Sequence, residues 1–495
     1  MKMKTSVGEA KNTNAHLKKS IKHSAIYAVG TILRRITALV MLPIYTRYLT
    51  PADYGVVELL TMAIEIASIL VGFRISQGLF RYYILAKTEQ EKHEIVSTVL
   101  LTIIASSAIG ALFLYLGAES LTVLIFGNND YTFEFQLFAL TLISNAISAV
   151  GLSYLRARQM PILFVSIGIV TLVLQVILNI IFVVMLELHV TGVVYSSVIS
   201  GGIIALGLSL YVFISAGIHY STEIAFKLVK FVSPLMLASV AAFYVAYADK
   251  YFLRLFAGLT EVGLYTLAAR VSAVLVTAFE AFNMSWGADR FEVVKKDNAR
   301  LIFEQIFRYI SIVVIMIGGG LALFANDFFR IMTSPEFYPA SLVVPILVLA
   351  YLFNIGTMFC NFGALYKDKT SIMAHASWIK AIIATIGYLS LIPLAGIYGA
   401  AFVLALSNLF EFAWIYHQSK KLYDMELNWW PVLIILVCVS FVVVTGLLLP
   451  AGEIIYFALR ITLFVALIPI LYMLPIWKTD ERAMMKAGLK KLKAP

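Results

Sequence analysis

The sequence KHSAIYAVGTILRRITALVMLPIY, residues 22–45, is the first hydrophobic stretch of the chain and carries two arginines near its middle, Arg34 and Arg35. A transmembrane helix needs about 20 apolar residues, so both charges fall near the bilayer centre. A charge at this depth costs about 2.5–3.5 kcal/mol on insertion scales, and a chain carries it mainly where the guanidinium faces protein or a wet cavity. Arginine presents a planar fork of donors that suits carboxylates and phosphates. The stretch therefore predicts a membrane protein with a cationic interior that handles an anionic solute.

The composition supports a polytopic membrane protein. Of the 495 residues, 61% are hydrophobic, and the mean hydropathy is +0.90, whereas a soluble domain is usually about 45–50% apolar. The net charge of +10 comes from residues in short loops rather than from a basic soluble domain, so we expect no nucleic-acid partner. Cys360 and Cys438 lie in apolar runs, and we expect neither a disulfide framework nor a metal site.

Hydropathy predicts an all-α integral membrane protein with about fourteen transmembrane helices. The short breaks at Glu187–Thr191 and at residues 394–396 are expected to be tight turns. No phosphate-binding loop of the G-x-x-x-x-G-K-[ST] type occurs in the sequence, so ATP hydrolysis by this chain is not expected. The predicted spans are 22–46, 54–84, 94–117, 135–156, 161–186, 190–216, 230–250, 262–288, 302–325, 340–364, 371–394, 396–416, 429–450 and 453–477.

The basic residues predict the orientation of these spans. With the N-terminus in the cytoplasm, 27 lysines and arginines fall in inner segments. The outer segments hold 4, namely Arg47, Lys250, Arg254 and Arg330. This bias follows the positive-inside rule and predicts an even number of spans, with both termini cytoplasmic, and an inner-membrane location.

Three landmarks recur along the chain and indicate an internal repeat. Asp53-Tyr54-Gly55 is similar to Glu261-Val262-Gly263, the basic segment at 155–158 to that at 365–369, and Gly192-Val193 to Gly396-Ile397. The offsets are alike, and six spans is an even number, so the halves share one orientation. The predicted organisation is an N-terminal tail, a six-helix bundle, a second bundle in parallel repeat, two additional helices and a basic cytoplasmic tail; the boundaries are 1–20, 21–216, 217–428, 429–477 and 478–495.

The segment PIYTRYLTPADYG, residues 43–55, resembles a signature of bacterial polysaccharide-unit flippases of the O-antigen and capsule type. These belong to the multidrug/oligosaccharidyl-lipid/polysaccharide exporter superfamily. Similar elements are GLFRY at 78–82, DKY at 249–251, and VGLY at 262–265 with Arg270. The resemblance implies alternating-access export of an undecaprenyl-pyrophosphate-linked oligosaccharide for surface polysaccharide biosynthesis. It implies no enzymatic activity, and it makes the lipid-linked oligosaccharide, membrane lipids and the polysaccharide polymerase machinery the expected partners.

Basic residues inside the predicted spans are the candidate substrate-binding residues. Desolvating a pyrophosphate without cationic partners is prohibitive, so we expect such residues to converge on it in a central cavity. The alternative is internal ion pairs that hold helices together. Arg308 lies near a span end and is expected to reach the interface by snorkelling, whereas for Arg460 snorkelling and a functional role are equally open. The predicted substrate-binding residues are Arg34, Arg35, Arg74, Arg270 and Lys380.

Three carboxylates inside the spans are candidates for coupling transport to H⁺ or Na⁺, namely Glu65, Glu280 and Glu411. Coupling requires a carboxylate whose protonation or ligation changes between states. The alternative is that these residues are structural counterions to the arginines. Glu58 and Asp249 lie near span ends, and we expect them to be solvated. No other cofactor is expected.

Three rival functions stay open. A lipid II flippase shares the superfamily and its expected phosphate chemistry. An ion-coupled multidrug exporter would favour an acidic cavity, which the arginines disfavour. A polysaccharide polymerase or ligase would carry a long outer loop with catalytic residues, and the longest outer loops, at 118–134 and 326–339, are too short for that.

Overall fold

The structure is a computed structural model that describes residues 41–72, 75–450, 452–474 and 477. Helices dominate these residues, and no β-strand occurs among them. Contacts divide the chain into two compact units, Met1–Arg254 and Leu255–Pro495. The first unit contains α1 (Pro51–Leu70), α2 (Ile75–Leu85), α3 (Glu89–Leu116), α4 (Ala118–Phe126), α5 (Thr132–Ala139), α6 (Thr141–Ala157), α7 (Pro161–Asn179, continued by a π-helical turn at Ile180–Met185), α8 (His189–Ala216) and α9 (Thr222–Phe256).

The second unit contains eight further α-helices and one 3₁₀ segment. The 3₁₀ segment, Pro335–Leu342, connects two of the membrane helices. The α-helices are α10 (Leu259–Ser272), α11 (Val274–Val293), α12 (Ala299–Met332), α13 (Val344–Cys360), α14 (Phe362–Tyr366), α15 (Ser371–Leu422), α16 (Trp430–Leu447) and α17 (Ile454–Met473).

Helix α1 begins at a reciprocal cap within the segment TPADYG, residues 50–55. The Asp53 amide donates to Thr50 Oγ1 (3.1 Å), and the Thr50 amide donates to Asp53 Oδ2 (3.0 Å). Pro51 occupies the first turn, where its missing N–H has no intrahelical partner to lose. These contacts satisfy two amides that the helix end would otherwise leave unbonded. The segment that resembles a family signature therefore has a local structural role, which is to start α1.

The core of the first unit lies among α2, α3, α6, α8 and α9. Leu79, Val99, Val150 and Val212 are at most 1% exposed and belong to one apolar cluster. Leu228, near the start of α9, belongs to the same cluster. The beginning of α9 is therefore part of the core of the first unit, although the predicted repeat assigns this helix to the second bundle. The predicted bundle boundaries, 21–216 and 217–428, stay a prediction.

Helix α15 is a hairpin rather than one long helix. Gly396 has φ +52°, a left-handed conformation that interrupts the helix. A Cβ on Gly387 would lie 2.7 Å from Val403 Cγ1, so the two arms pack closely on either side of this turn. The amide of Ile397 donates to Glu261 Oε2 (3.3 Å), which holds the start of the second arm. The tight turn predicted at 394–396 is confirmed.

The two additional helices pack on α12. Ile435 and Val439 of α16 and Leu467 of α17 are at most 3% exposed and cluster with Leu323. A Cβ on Gly319 would clash with Val439 Cγ1, so the absence of a side chain at Gly319 lets α16 approach α12 closely. This pair of helices is therefore an integral part of the second unit.

The protein is a multi-pass membrane protein with an all-α fold, as predicted. Among the described residues, ten helices are long and apolar enough to cross a membrane. One of these, α15, crosses twice because of its hairpin. The 35 residues of α9 rise about 50 Å, and α1 continues through a break into α2. These helices are consistent with the predicted fourteen spans, the first of which lies largely outside the described residues.

Candidate functional site

The predicted substrate-binding residues are only partly within the described part of the chain. Arg34, Arg35 and Arg74 lie outside it, so their role stays a prediction. Arg270 lies in the last turn of α10 and is half-buried, and Glu280 is half-buried on α11. Both positions are inside apolar helices, as the sequence predicts.

Lys380 and Glu411 form a buried ion pair between the two arms of the α15 hairpin. Lys380 Nζ lies 2.9 Å from Glu411 Oε2, and the residues are 7% and 8% exposed. Asn408, one turn before Glu411, donates through Nδ2 to the Ala350 carbonyl on α13 (2.9 Å). The pair is the internal ion pair that the sequence left as the alternative to substrate binding. A substrate contact by Lys380, or ion coupling by Glu411, stays a prediction and would require this pair to open.

Glu65 is exposed on the surface of the first unit. It lies fourteen residues after the start of α1, which corresponds to a depth of about 21 Å along the helix. A carboxylate at such a depth is expensive in hydrocarbon, so we infer that this side of α1 meets a polar environment. Within the described ranges no group of three or more His, Cys, Asp or Glu side chains is placed to hold a metal ion. Coupling to H⁺ or Na⁺ stays a prediction.

Glu58 and Lys250 form a second buried ion pair, between α1 and α9. Lys250 Nζ lies 2.5 Å from Glu58 Oε1 and 4.4 Å from the centroid of the Tyr247 ring. Glu58 is 5% exposed and Asp249 is 7% exposed. The expectation that these two carboxylates are solvated was wrong, because both are buried and Glu58 is paired with Lys250.

Replacing Lys250 with methionine should lower the free energy of unfolding by about 1–3 kcal/mol, because Glu58 keeps its burial and loses its cation. Lys227→Met is the matched control, since the Lys227–Glu223 pair is exposed and its loss should leave the stability almost unchanged. Thermal unfolding of the purified protein in detergent measures both. Equal losses in the two variants would contradict the role of burial.

Arg460 is buried and has polar contacts to three segments of the second unit. Its Nη1 lies 2.9 Å from both carboxylate oxygens of Asp327 on α12. Its Nε donates to the Gly446 carbonyl (3.0 Å), and its Nη2 donates to the carbonyls of Leu449 (2.6 Å) and Pro450 (3.0 Å). Arg460 is 2% exposed. It therefore ties α17 to α12 and to the end of α16.

Arg308, which was expected to snorkel, and Arg460, for which snorkelling was one of two alternatives, are both buried. Arg308 is 2% exposed, and its Nε lies 3.5 Å from Glu304 Oε1 on the same helix. For Arg460 the partner was missed, because the predicted span ended at 325 and placed Asp327 in an outer loop. Helix α12 continues to Met332. An arginine seven residues inside an apolar span was the available signal that a buried acid should be sought.

An apolar cavity of 220 Å³ lies within the second unit, among α11, α12, α13, α15 and α16. Phe307, Phe412 and Trp429 form part of its wall. The ring centroids of Phe307 and Trp429 are 4.7 Å apart, and Trp429 Nε1 donates to the Tyr416 hydroxyl (3.0 Å). Leu433 of α16 also lines the cavity and is exposed. Such a wall suits hydrocarbon rather than a polar solute, because it offers few hydrogen-bonding groups.

Solved structures share this fold. The lipid II flippase MurJ in an inward closed conformation matches with a TM-score of 0.72 at 13% identity, over 90% of this chain and 98% of that chain. An inward-facing multidrug resistance MATE family transporter of the MOP superfamily matches with a TM-score of 0.62 at 14% identity, over 79% and 95%. The MATE transporter VcmN from Vibrio cholerae matches with a TM-score of 0.53 at 17% identity, over 84% and 99%. At these identities the likeness shows the fold.

The family of this protein is identified by comparing its sequence with known families. No curated protein matches it. Residues 20–286 match the model of a family described as "Polysaccharide biosynthesis protein". Because this match covers more than half of the chain, the protein belongs to the polysaccharide biosynthesis protein family, and it has the fold of the MOP-superfamily transporters.

Proposed function

We propose that this protein is a flippase that moves undecaprenyl-pyrophosphate-linked oligosaccharide units across a bacterial inner membrane for surface polysaccharide biosynthesis. The observation that carries the proposal is the family match in a chain with the fold of a lipid II flippase and of MATE transporters. A transporter fold whose described outer connections are short is suited to moving a sugar unit rather than to polymerising it. The excess of basic residues in inner segments supports cytoplasmic termini.

The pyrophosphate is the part of the substrate that most needs protein contacts. It carries two or more negative charges, which cannot enter an apolar medium without cations or donors. We assign this role to Arg34, Arg35, Arg74 and Arg270, since guanidinium groups bind phosphate oxygens in pairs. Lys380 could join them only after releasing Glu411. The contacts must also release the substrate, so moderate affinity serves transport better than very tight binding.

The prenyl chain of the substrate has to stay in an apolar environment throughout. The cavity in the second unit, with Phe307, Trp429 and Leu433 in its wall, offers such an environment beside α16. We propose that it accommodates part of the chain while the sugar and pyrophosphate enter from the cytoplasmic side. The two additional helices, α16 and α17, would then line the lateral path by which the chain reaches lipid.

Transport is proposed to follow alternating access, in which the substrate site opens first to the cytoplasm and then to the outside. The membrane potential is one source of energy, at about 2.3 kcal/mol per charge per 100 mV. A coupled H⁺ or Na⁺ at Glu65, Glu280 or Glu411 is the other. The exported unit would pass to the polysaccharide polymerase machinery at the outer surface.

A lipid II flippase is the second candidate function, favoured by the TM-score of 0.72 with MurJ. Cells depleted of their own lipid II flippase discriminate the two. Rescue of growth by this protein would assign it lipid II. Failure to rescue, together with loss of surface glycan on deletion of its gene, would assign it the oligosaccharide.

Single replacement of Arg34, Arg35 or Arg270 with alanine should strongly reduce surface glycan while the protein stays at its normal level in the membrane. Each guanidinium–phosphate hydrogen bond contributes about 1.5–3 kcal/mol, which corresponds to about 10- to 100-fold in transport. Lysine variants should recover only part of the activity, because an ammonium lacks the planar fork.

Arg300→Ala is the control for this experiment. Arg300 forms an exposed ion pair with Glu426, and we expect the variant to keep its surface glycan. Surface glycan is measured on intact cells and protein level by immunoblot of membranes. Unchanged glycan in all three alanine variants would count against the cationic site.

A further inference from the structure

A groove of 720 Å³ lies in the first unit, bounded by α1, α3, α4 and α9. We call it the α4 groove, and its wall includes Met62, Leu70, Ile109, Phe113, Leu124 and Tyr251. Its contacts on α3 begin seventeen residues after Glu89, and those on α9 begin twenty-one residues after Thr222. At 1.5 Å per residue these positions lie about 26 Å and about 32 Å from the starts of the two helices. Both helices are predicted to start at the cytoplasmic side, so the groove lies towards the outer leaflet.

The α4 groove opens to the surface on its apolar side. Leu70, Ile109, Phe113 and Leu124 each line it and are all more than half exposed. On a membrane helix, such side chains face hydrocarbon. The groove is therefore accessible laterally to a lipid chain without passage through water.

The inner wall of the groove is shaped by a break after α1. Gly72 has φ +97°, a conformation in which a side chain would be strained. A Cβ on Gly110 of α3 would lie 2.5 Å from Val71 Cγ2, so α3 passes close to this break. The break and the close approach of α3 at Gly110 shape this wall of the groove.

A cation lies at the outer end of the groove. Arg254 follows Tyr251 by one turn on α9, and its Nη2 donates to the Val123 carbonyl of α4 (3.3 Å). Gly127, which ends α4 with φ +86°, permits this approach, since a Cβ there would lie 2.5 Å from Arg254 Nη2. Among the described residues, no carboxylate lies within ion-pair distance of Arg254. This arginine differs in that respect from Lys250, one turn earlier, which Glu58 neutralises.

We propose that the α4 groove binds a polyprenyl phosphate, with its hydrocarbon chain along the groove and its phosphate on Arg254. The charge at the mouth complements a phosphate, and one groove with one cation fits an anionic lipid that has a single chain better than a phospholipid that has two. The inference rests on the proposed function, and it adds a place where the prenyl chain of the lipid lodges in the outer half of the membrane. The apolar cavity of the second unit is a separate space lined by other residues.

The test is photolabelling of the purified full-length protein in phosphatidylcholine vesicles. The probe is a polyprenyl phosphate with a diazirine in its chain, and labelled peptides are identified by mass spectrometry. We expect labels concentrated in α3, α4 and α9, and labelling that falls about tenfold in Arg254→Gln, as for the loss of one charge-assisted hydrogen bond. Arg330→Gln is the control, because Arg330 is another arginine of the outer segments and lies outside the groove, and it should label normally.

A second variant blocks the groove itself. Ser106 is half-buried on α3 and lines the groove, so Ser106→Phe should fill part of it and reduce labelling of α4. Ser209→Phe is the matched control. Ser106 and Ser209 each donate a hydrogen bond to a carbonyl of their own helix, and Ser209 lies outside the groove. Arg254→Gln changes only a partly exposed side chain, and it provides the test if Ser106→Phe does not fold.

Competitors complete the test. Unlabelled polyprenyl phosphate should prevent the labelling, whereas uncharged prenol and phosphatidylglycerol should not. Equal competition by phosphatidylglycerol or prenol, or labels spread evenly over lipid-facing helices, would overturn the proposal. Because labelling requires no transport, an absent label with intact glycan export removes the groove site alone. A specific label in a protein whose gene is dispensable for surface glycan removes the proposed function alone.

Discussion

Replacing Arg460 with alanine is expected to lower the free energy of unfolding by about 3–5 kcal/mol, because Asp327 then remains buried without its cation. Asp327 is 6% exposed. The carbonyls of Gly446, Leu449 and Pro450 lose their donor in the same variant. Unfolding of the purified protein in mixed detergent micelles measures the loss. Limited proteolysis should show new cleavage in the connection between α16 and α17, which Arg460 now holds.

Two further variants identify the buried charge as the cause. Arg460→Met combined with Asp327→Leu should recover most of the stability, since removing both charges leaves no unpaired ion. Arg330→Ala, on the exposed side of the same end of α12, should change stability by about 0.5 kcal/mol or less. A double variant as unstable as Arg460→Ala would contradict this explanation and indicate that packing of the arginine stem dominates.

Lys380→Ala is expected to destabilise the protein by a similar amount, about 3–5 kcal/mol, because Glu411 is left as an unpaired buried carboxylate between the arms of α15. Glu411→Ala should have the same effect, since it strands the ammonium of Lys380. The amount of protein in the membrane, the temperature of thermal unfolding and the amount of surface glycan are all expected to fall together in both single variants.

The double variant Lys380→Met with Glu411→Leu separates a structural role from a functional one. We expect it to regain its stability and, with it, the export of glycan, because Lys380 is 7% exposed and already bound to a carboxylate. A double variant that folds and reaches the membrane but exports no glycan would instead assign Lys380 or Glu411 the substrate or ion-coupling role predicted from the sequence.

The membrane fold was accessible from hydropathy because the bilayer leaves the backbone few choices. Each peptide group within hydrocarbon must be bonded internally, so apolar stretches of sufficient length become helices. Turn positions were equally accessible. Glu187 and Gly396 lie in the two breaks predicted as tight turns, and both have positive φ, at 50° and 52°. The cap at Thr50 and Asp53 carries a recognisable helix-start pattern, which could have placed the start of α1 at Pro51 rather than at residue 54.

The partners of buried charges were not accessible in the same way. Glu58 and Asp249 lie near helix ends, and their positions in the sequence indicate depth but not neighbours. Lys250 lies 192 positions beyond Glu58 in the chain, and Asp327 lies 133 positions before Arg460. Two groups so far apart meet only through helix packing, which local pattern does not specify.

In the candidate site, too, some features were predictable from the sequence and others were not. The sequence identified charged residues inside spans, because a charge in hydrocarbon is a strong signal at a single position. Of these, Lys380 and Glu411 meet each other. Arg34, Arg35 and Arg74 lie outside the described residues, and their role in substrate binding stays a prediction. The residues that line the apolar cavity and the α4 groove were not predicted from the sequence, because each wall comes from four or more helices.

The sequence by itself determined that this protein crosses the membrane many times, where several of its turns fall, and that cations lie at depths where hydrocarbon would reject them. These properties depend on single residues or short windows and on their transfer free energy. Tertiary structure alone decided which cation neutralises which carboxylate, leaving Arg254 beside an open groove while Lys250, one turn away, is paired. That choice depends on how helices distant in the chain pack together, and close packing is a property of the whole fold.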